Sequence, residues 1–274
     1  MKRILIAAAM VLSSLTMTAQ EQQQRVLAHR AGRADFEENV LPSFKASYDA
    51  GMRSFETDVR ITADGRYVIS HDADMARTYG KPGIIEQTKL KDLKTYRSTK
   101  GNNEITTLDE LLAFLNSKED MYVEFELKTD PKAYPQELLE KYCDDVYKKV
   151  MKNKPASSLY ILSSFDYRAL RYLTTKHPDE DCFMLIHGDP VGDKTIALAL
   201  SLGVKRMACT INGSSRKSLK EAHEKGMRIN LWPGSGPDDF ILAYQLGADY
   251  ICTDYPVELI DFVKGKEGIF NVRF

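Results

Sequence analysis

Eight short runs of strand-like composition alternate with segments of helical spacing along nearly the whole chain, and few folds accept that rhythm. The runs are RVLAH from Arg25, RSFETDV from Arg53, MYVEFELK from Met121, SLYILSS from Ser158, CFMLIH from Cys182, KRMACT from Lys205, RINLW from Arg228 and DYICTD from Asp249. Between them lie LDELLAFL from Leu108, QELLEKYCDDVYKKV from Gln136 and RKSLKEAHEKG from Arg216, the last closed by a glycine that suits a helix C-terminus. Eight βα units in roughly 250 residues predict an α/β protein with a single (β/α)8 TIM barrel. An open doubly wound sheet is the alternative, but no glycine-rich phosphate turn follows the first run.

The N-terminal stretch MKRILIAAAMVLSSLTMTAQ has a basic start, an apolar run from Ile4 to Leu15 and small residues up to Ala19. That order predicts a secretory signal peptide over residues 1–19, with the barrel domain over 25–274. The apolar run falls short of the roughly 20 residues needed to span a bilayer, so no stable membrane insertion is expected. The protein is expected to be exported, to a periplasm or beyond. A formal net charge of -1 lacks the clustered basic residues of nucleic-acid binding. Cys143, Cys182, Cys209 and Cys252 are too far apart for a zinc-site spacing and are expected as buried free thiols.

One segment breaks the alternation. In ITADGRYVISHD, Asp64-Gly65 sits between two alternating runs, a hairpin signal. If those two residues form the turn, Ala63 faces Arg66 and His71 falls opposite Asp58. A polar stretch over about 73–105 follows, long for a structureless loop, and is read as a functional insertion over the barrel mouth.

Alternate side chains of a strand share a face, so Glu56 and Asp58 point the same way, and Glu124, Glu126 and Lys128 face the barrel axis while Val123, Phe125 and Leu127 pack outward. Active sites of such barrels lie at the C-terminal ends of the strands, where Glu56, Asp58, Glu126 and Lys128 fall. Three carboxylates in a confined mouth repel one another unless a cation offsets them. A divalent ion does so directly, and all-oxygen ligation selects Mg²⁺ or Ca²⁺ over zinc. A salt-bridge network, Glu126 with Lys128 and Glu56 with Arg53 or Arg60, is the competing reading.

The histidines tip the balance. His29 and Arg30 end the first run, beside the second, so His29 and His71 can flank one ion. With Arg30 and Lys128 nearby, the set suits a phosphodiester: cations hold the phosphate, one imidazole takes a proton from the nucleophile and the other protonates the leaving oxygen. His177, His223 and His187 are assigned to structure, His187 least firmly.

These residues resemble the glycerophosphodiester phosphodiesterase family over nearly the whole chain beyond the signal peptide. The matching pieces are HRAG at His29, EEN ending at Asn39, ETDVRITADG at Glu56, HD at His71 and ELK at Glu126, with SSF at Ser163, Trp232 and GADYICTDYP at Gly247. The resemblance implies a metal site of Glu56, Asp58 and Glu126 and a catalytic pair of His29 and His71. It implies phosphate contacts from Arg30 and Lys128, an alcohol or glycerol pocket lined by Trp232, and a substrate contact from Asn39. Ala31 interrupts the usual His-Arg-Gly, and ENVLPSF stands where the family has Pro-Glu-Asn-Thr. The expected reaction is metal-dependent hydrolysis of a small glycerophosphodiester to glycerol 3-phosphate and an alcohol. Alternatives are a lipid-directed phosphodiesterase that forms a cyclic phosphate and a non-catalytic exported binding module.

Overall fold

A computed structural model describes residues 23–274, so the expected signal peptide lies outside the described residues. The chain opens with β1 (Gln24–His29), α1 (Leu41–Asp49) and β2 (Ser54–Ile61), and a short β3 (Tyr67–Ile69) folds back on β2. Two single-turn helices, α2 (Ala76–Tyr79) and α3 (Leu90–Leu93), precede α4 (Leu108–Leu115). Then strand and helix alternate: β4 (Tyr122–Leu127), α5 (Gln136–Lys152), β5 (Leu159–Ser164), α6 (Tyr167–Lys176), β6 (Phe183–Pro190), α7 (Asp193–Ser201). The order continues through β7 (Arg206–Thr210), α8 (Arg216–Glu224), β8 (Arg228–Gly234), α9 (Pro237–Leu246), β9 (Tyr250–Thr253), α10 (Pro256–Val263) and β10 (Val272–Arg273).

Eight parallel strands close in the order β1, β2, β4, β5, β6, β7, β8, β9 and back to β1. Every one of the eight predicted runs is a barrel strand. The helices form because their apolar residues recur at helical spacing: α4 buries Leu108, Leu111, Leu112 and Leu115. Its start is fixed by a capping box in which Thr107 accepts from the Glu110 N–H and Glu110 accepts from the Thr107 N–H. The outward faces of the strands meet these helices, and neighbouring strands share the packing, as where Phe125 lies edge-on to Tyr160 at 5.5 Å. All four cysteines are buried and free, as expected.

The hairpin differs from its predicted register by one residue. Val59 pairs with Ile69 and Ile61 with Tyr67, and the Ser70 N–H donates to the Asp58 carbonyl, so Ser70 rather than His71 lies opposite Asp58. The cause is a three-residue loop: the Thr62 N–H donates to the Arg66 carbonyl and Gly65 adopts φ 71°, the left-handed position that closes such a turn. In a continuous ladder a one-residue slip would turn His71 to the wrong face. Here β3 ends at Ile69, and His71 is free of the pleat.

The insertion is a folded unit with its own core of Val68, Met75, Tyr79, Ile85, Leu93 and Ile105. At the opposite, N-terminal end of the barrel, β10 pairs with the first residues of β1, Gln24 with Val272 and Arg25 with Arg273. Phe270 packs there against Phe240, Tyr244 and Phe262.

Candidate active site

Adjacent strands β2 and β4 run in a register that sets Asp58 beside Glu126, and β1 sets His29 beside Glu56. Glu56, Asp58 and Glu126 each offer an oxygen within 4.8 Å of the others, and all three are buried. Burial pushes Glu56 well above the usual carboxylate range, and the charges of Asp58 and Glu126 add to it. Burial likewise moves Glu126 up to about 7, against the pull of Lys128. Burial would also raise Asp58, but Lys128 and Arg30 overcome it and hold this group below its ordinary value. Lys128 Nζ lies 2.6 Å from Glu126 and 3.0 Å from Asp58 Oδ1, an oxygen that accepts no hydrogen bond. Two cations, the Lys128 ammonium and the Arg30 guanidinium with Nε 3.4 Å from Asp58 Oδ2, leave three crowded acids only partly offset, which fits a hard divalent cation. The acidic triad could therefore bind a metal ion.

The salt-bridge alternative holds for one pair only. Lys128 meets Glu126, but Arg53 donates to the Tyr48 and Met52 carbonyls and Arg60 to the His71 carbonyl and Glu86. Glu56 accepts instead from the Arg30 N–H at 3.2 Å.

His29 and His71 are each tied to a carboxylate through Nδ1. His29 Nδ1 lies 2.6 Å from Asp254 Oδ1, and His71 Nδ1 lies 2.7 Å from Asp72 Oδ1. An ionised carboxylate only accepts, so in the neutral ring Nδ1 carries the proton and Nε2 presents its lone pair. For His29 that lone pair faces the acids, with Nε2 3.7 Å from Glu56 Oε2. Burial lowers the pKa of both rings, opposed at His29 by the hydrogen bond to Asp254 and at His71 by the charge of Asp58. Desolvation would raise Asp254, but hydrogen bonds from His29 and Arg33 overcome it and hold the group at about 2.

His29, Arg30, Glu56, His71, Glu126 and Lys128 line one pocket with Phe165, Ile186, Ala208 and Trp232. The charged residues come from β1, β2, β4 and the segment after β3, while β5 to β8 and the loop after β5 bring Phe165, Ile186, Ala208 and Trp232 together with the polar Asn230. Trp232 lines this pocket, its ring meeting Phe165 edge-on at 5.9 Å. Two buried donors in this region, Trp232 Nε1 and Arg30 Nε, have no hydrogen-bond acceptor. Below them Glu124 accepts from Tyr122 and, across the barrel, from the Asn230 amide at 2.9 and 2.8 Å.

Asn39 lies behind Asp58. It is 3% exposed; its amide donates to Asp58 Oδ2 at 2.8 Å and its carbonyl accepts from the Thr57 hydroxyl. It braces a carboxylate from behind rather than facing the pocket. The Arg30–Ala31–Gly32 stretch absorbs the alanine with three successive positive φ values, 50°, 69° and 88°, and the Ala34 N–H donates to the Asp254 carbonyl. His177 stacks on Tyr147 at 3.9 Å, His223 pairs with Asp249, and His187 accepts from the Asp189 N–H, so none of the three joins the pocket.

Sequence reasoning missed Asp254, Asp72 and Phe165 as parts of the site. Asp254 follows the last barrel strand, which closes against the first, so an acid at that position was open to inspection once β9 was placed beside β1.

Barrels with acids and imidazoles gathered at the C-terminal mouth suit hydrolysis of anionic esters, and comparison with known proteins narrows that class to phosphoric diester hydrolases. The model of the Glycerophosphoryl diester phosphodiesterase family matches residues 29–258, and the chain belongs to that family. A glycerophosphodiester phosphodiesterase of Caldanaerobacter subterraneus is 25% identical over 249 residues, covering 87% of this chain and 97% of that protein. A phosphodiesterase of Oleispira antarctica, solved in complex with the product sn-glycerol-3-phosphate, superimposes with a TM-score of 0.79 at 21% identity, over 88% of this chain and 97% of that one. The glycerophosphodiester phosphodiesterase of Thermotoga maritima superimposes with a TM-score of 0.69 at 25% identity, over 89% and 100% of the two chains.

Proposed function

We propose that this enzyme hydrolyses small glycerophosphodiesters to glycerol 3-phosphate and an alcohol with the help of one divalent cation. The observation that carries the reading is the meeting of three buried carboxylates, oxygens within 4.8 Å, with two imidazoles whose Nδ1 atoms are each held by an acid. Glu56, Asp58 and Glu126 would hold Mg²⁺ or Ca²⁺, which supplies positive charge against the phosphate. Arg30 and Lys128 orient the anionic oxygens and offset charge that builds in the transition state. His29 and His71 handle protons at Nε2: one removes a proton from the nucleophile and the other delivers one to the departing oxygen. Phe165 and Trp232 form the apolar wall against which the organic part of the diester rests. The product-bound Oleispira antarctica neighbour supports this choice of substrate class.

Release of glycerol 3-phosphate from a panel of glycerophosphodiesters, with and without chelator, tests the reading. Replacing His29 or His71 by alanine should each lower turnover by about 10² to 10⁴ while metal binding persists. Near-normal turnover of His71→Ala would end its assigned role, and a cyclic phosphate product would assign the attack to an internal hydroxyl. Hydrolysis absent with every divalent ion, alongside intact diester binding, would make the protein a binding module.

We also propose export, on the basic, apolar and small-residue order of the N-terminal stretch. N-terminal sequencing of the protein from fractionated cells should begin after Ala19; an intact Met1 in the cytoplasmic fraction would refute it.

A further inference from the structure

We propose that Arg77, in the insertion, is a positioning residue that fixes His71 by way of Asp72; the inference rests on the proton-transfer role assigned to His71. His71 stands beyond the last paired residue of β3, and its side chain is 34% exposed, so barrel packing does not hold the ring. Two contacts do. Arg60 donates to the His71 carbonyl at 3.0 and 2.6 Å, and Asp72 Oδ1 takes Nδ1. Asp72 is itself partly exposed and adjacent in sequence, so it orients the ring only if its own carboxylate is fixed.

Arg77 supplies that. Its Nε donates to Asp72 Oδ2, while Nη1 and Nη2 donate to the two oxygens of Glu38 at 2.6 and 2.7 Å. Glu38 is mostly buried and also meets Arg30 Nη1 at 3.4 Å. The guanidinium thus ties Asp72 to the segment that follows β1. Arg77 rides on α2, whose last residue Tyr79 and N-cap Met75 are packed in the insertion's own core. A planar fork can meet both carboxylates at once, and a lysine ammonium cannot reproduce that geometry. Half of the Arg77 side chain is exposed, and ion pairs in such positions contribute little to stability. The arrangement therefore serves orientation more than folding, and through it the insertion aims His71.

Steady-state hydrolysis of glycerophosphocholine by the metal-loaded enzyme tests this. Arg77→Ala should lower kcat by about 10- to 100-fold, leave KM within about threefold and leave the melting temperature nearly unchanged. Arg77→Lys should recover only part of the loss. In a His71→Ala background the further change Arg77→Ala should cost nothing, because the group it aims is gone. The proposal is overturned if Arg77→Ala keeps kcat within about twofold of wild type, if lysine restores it fully, or if the loss persists undiminished without His71. Wild-type protein inert toward every glycerophosphodiester would remove the catalytic reading first, and this one with it; an active wild type with an indifferent Arg77 would remove this one alone.

Discussion

Replacing Asp254 by asparagine isolates what the carboxylate does for His29. Asp254 Oδ1 receives His29 Nδ1 at 2.6 Å and Arg33 Nε at 2.8 Å, so one oxygen serves both the imidazole proposed to transfer protons and a neighbouring cation. In the proposed role His29 is protonated during turnover, and the carboxylate would then stabilise the imidazolium. For charge centres about 4 Å apart at an effective dielectric near 20, Coulomb's law gives about 4 kcal/mol. Arg33 already satisfies part of that negative charge, so about 2 to 4 kcal/mol remains for His29, which corresponds to a loss of about 30- to 1,000-fold in turnover. The asparagine amide would also let the ring adopt the other tautomer, with its Nε2 proton facing the acids. The assay is kcat for glycerol 3-phosphate release at saturating diester and metal, with thermal melting measured alongside. His29→Ala combined with Asp254→Asn should be no slower than His29→Ala alone. Turnover of Asp254→Asn within about threefold of wild type, in a protein that melts normally, would refute the reasoning.

Three further outcomes are expected. A divalent ion at about 100 times its dissociation constant should stabilise the fold by about 2.7 kcal/mol in a thermal melt, and Asp58→Asn should abolish most of that gain. Burial would raise the pKa of Asp249, but this carboxylate accepts from His223, Arg228 and the Ile229 N–H, and those bonds prevail and lower it. Its stabilisation is therefore present above its unfolded pKa of about 3.9 and lost as pH falls through the lower folded value; Asp249→Asn should cost about 2 to 3 kcal/mol at neutral pH, with the gap closing below about pH 4 in denaturant titrations. Gly32→Ala would drive a Cβ into the Pro256 ring at φ 88°, so it should destabilise by about 2 to 4 kcal/mol and lower activity by shifting the His29 loop. Unchanged melting of Gly32→Ala would count against that steric reading.

Periodicity made the barrel legible, because strand and helix each leave a local signature and the chain repeats them eight times. The acids of β2 and β4 were legible for the same reason: alternation alone turns Glu56, Asp58 and Glu126 inward. Asp254 was not, since its partner His29 is 225 positions away and only ring closure brings them together. The resemblance suggested a substrate contact from Asn39; its amide hydrogen bond to Asp58 was not legible, because it depends on the loop after β1 turning back at a positive φ of 60°. His71 was found through a pairing that does not exist; the Gly65 turn moved the register, and the end of β3 restored access to the mouth. Arg77 carried no readable pattern and Glu38 was read only as part of the EEN match, because a guanidinium bridge between loops depends on tertiary placement alone.

The pairing of β10 with the first residues of β1 sets the two ends of the described chain side by side on the face turned away from catalysis. A bead, dye or fusion partner attached beyond Phe274 would thus leave substrate entry unobstructed. Trimming the stretch from Phe270 onward, by contrast, would empty its aromatic nest and leave the lower edge of the opening strand uncovered. Residues 270–274 thus shore up the foot of the first strand, and handling them as dispensable would loosen the cylinder from below.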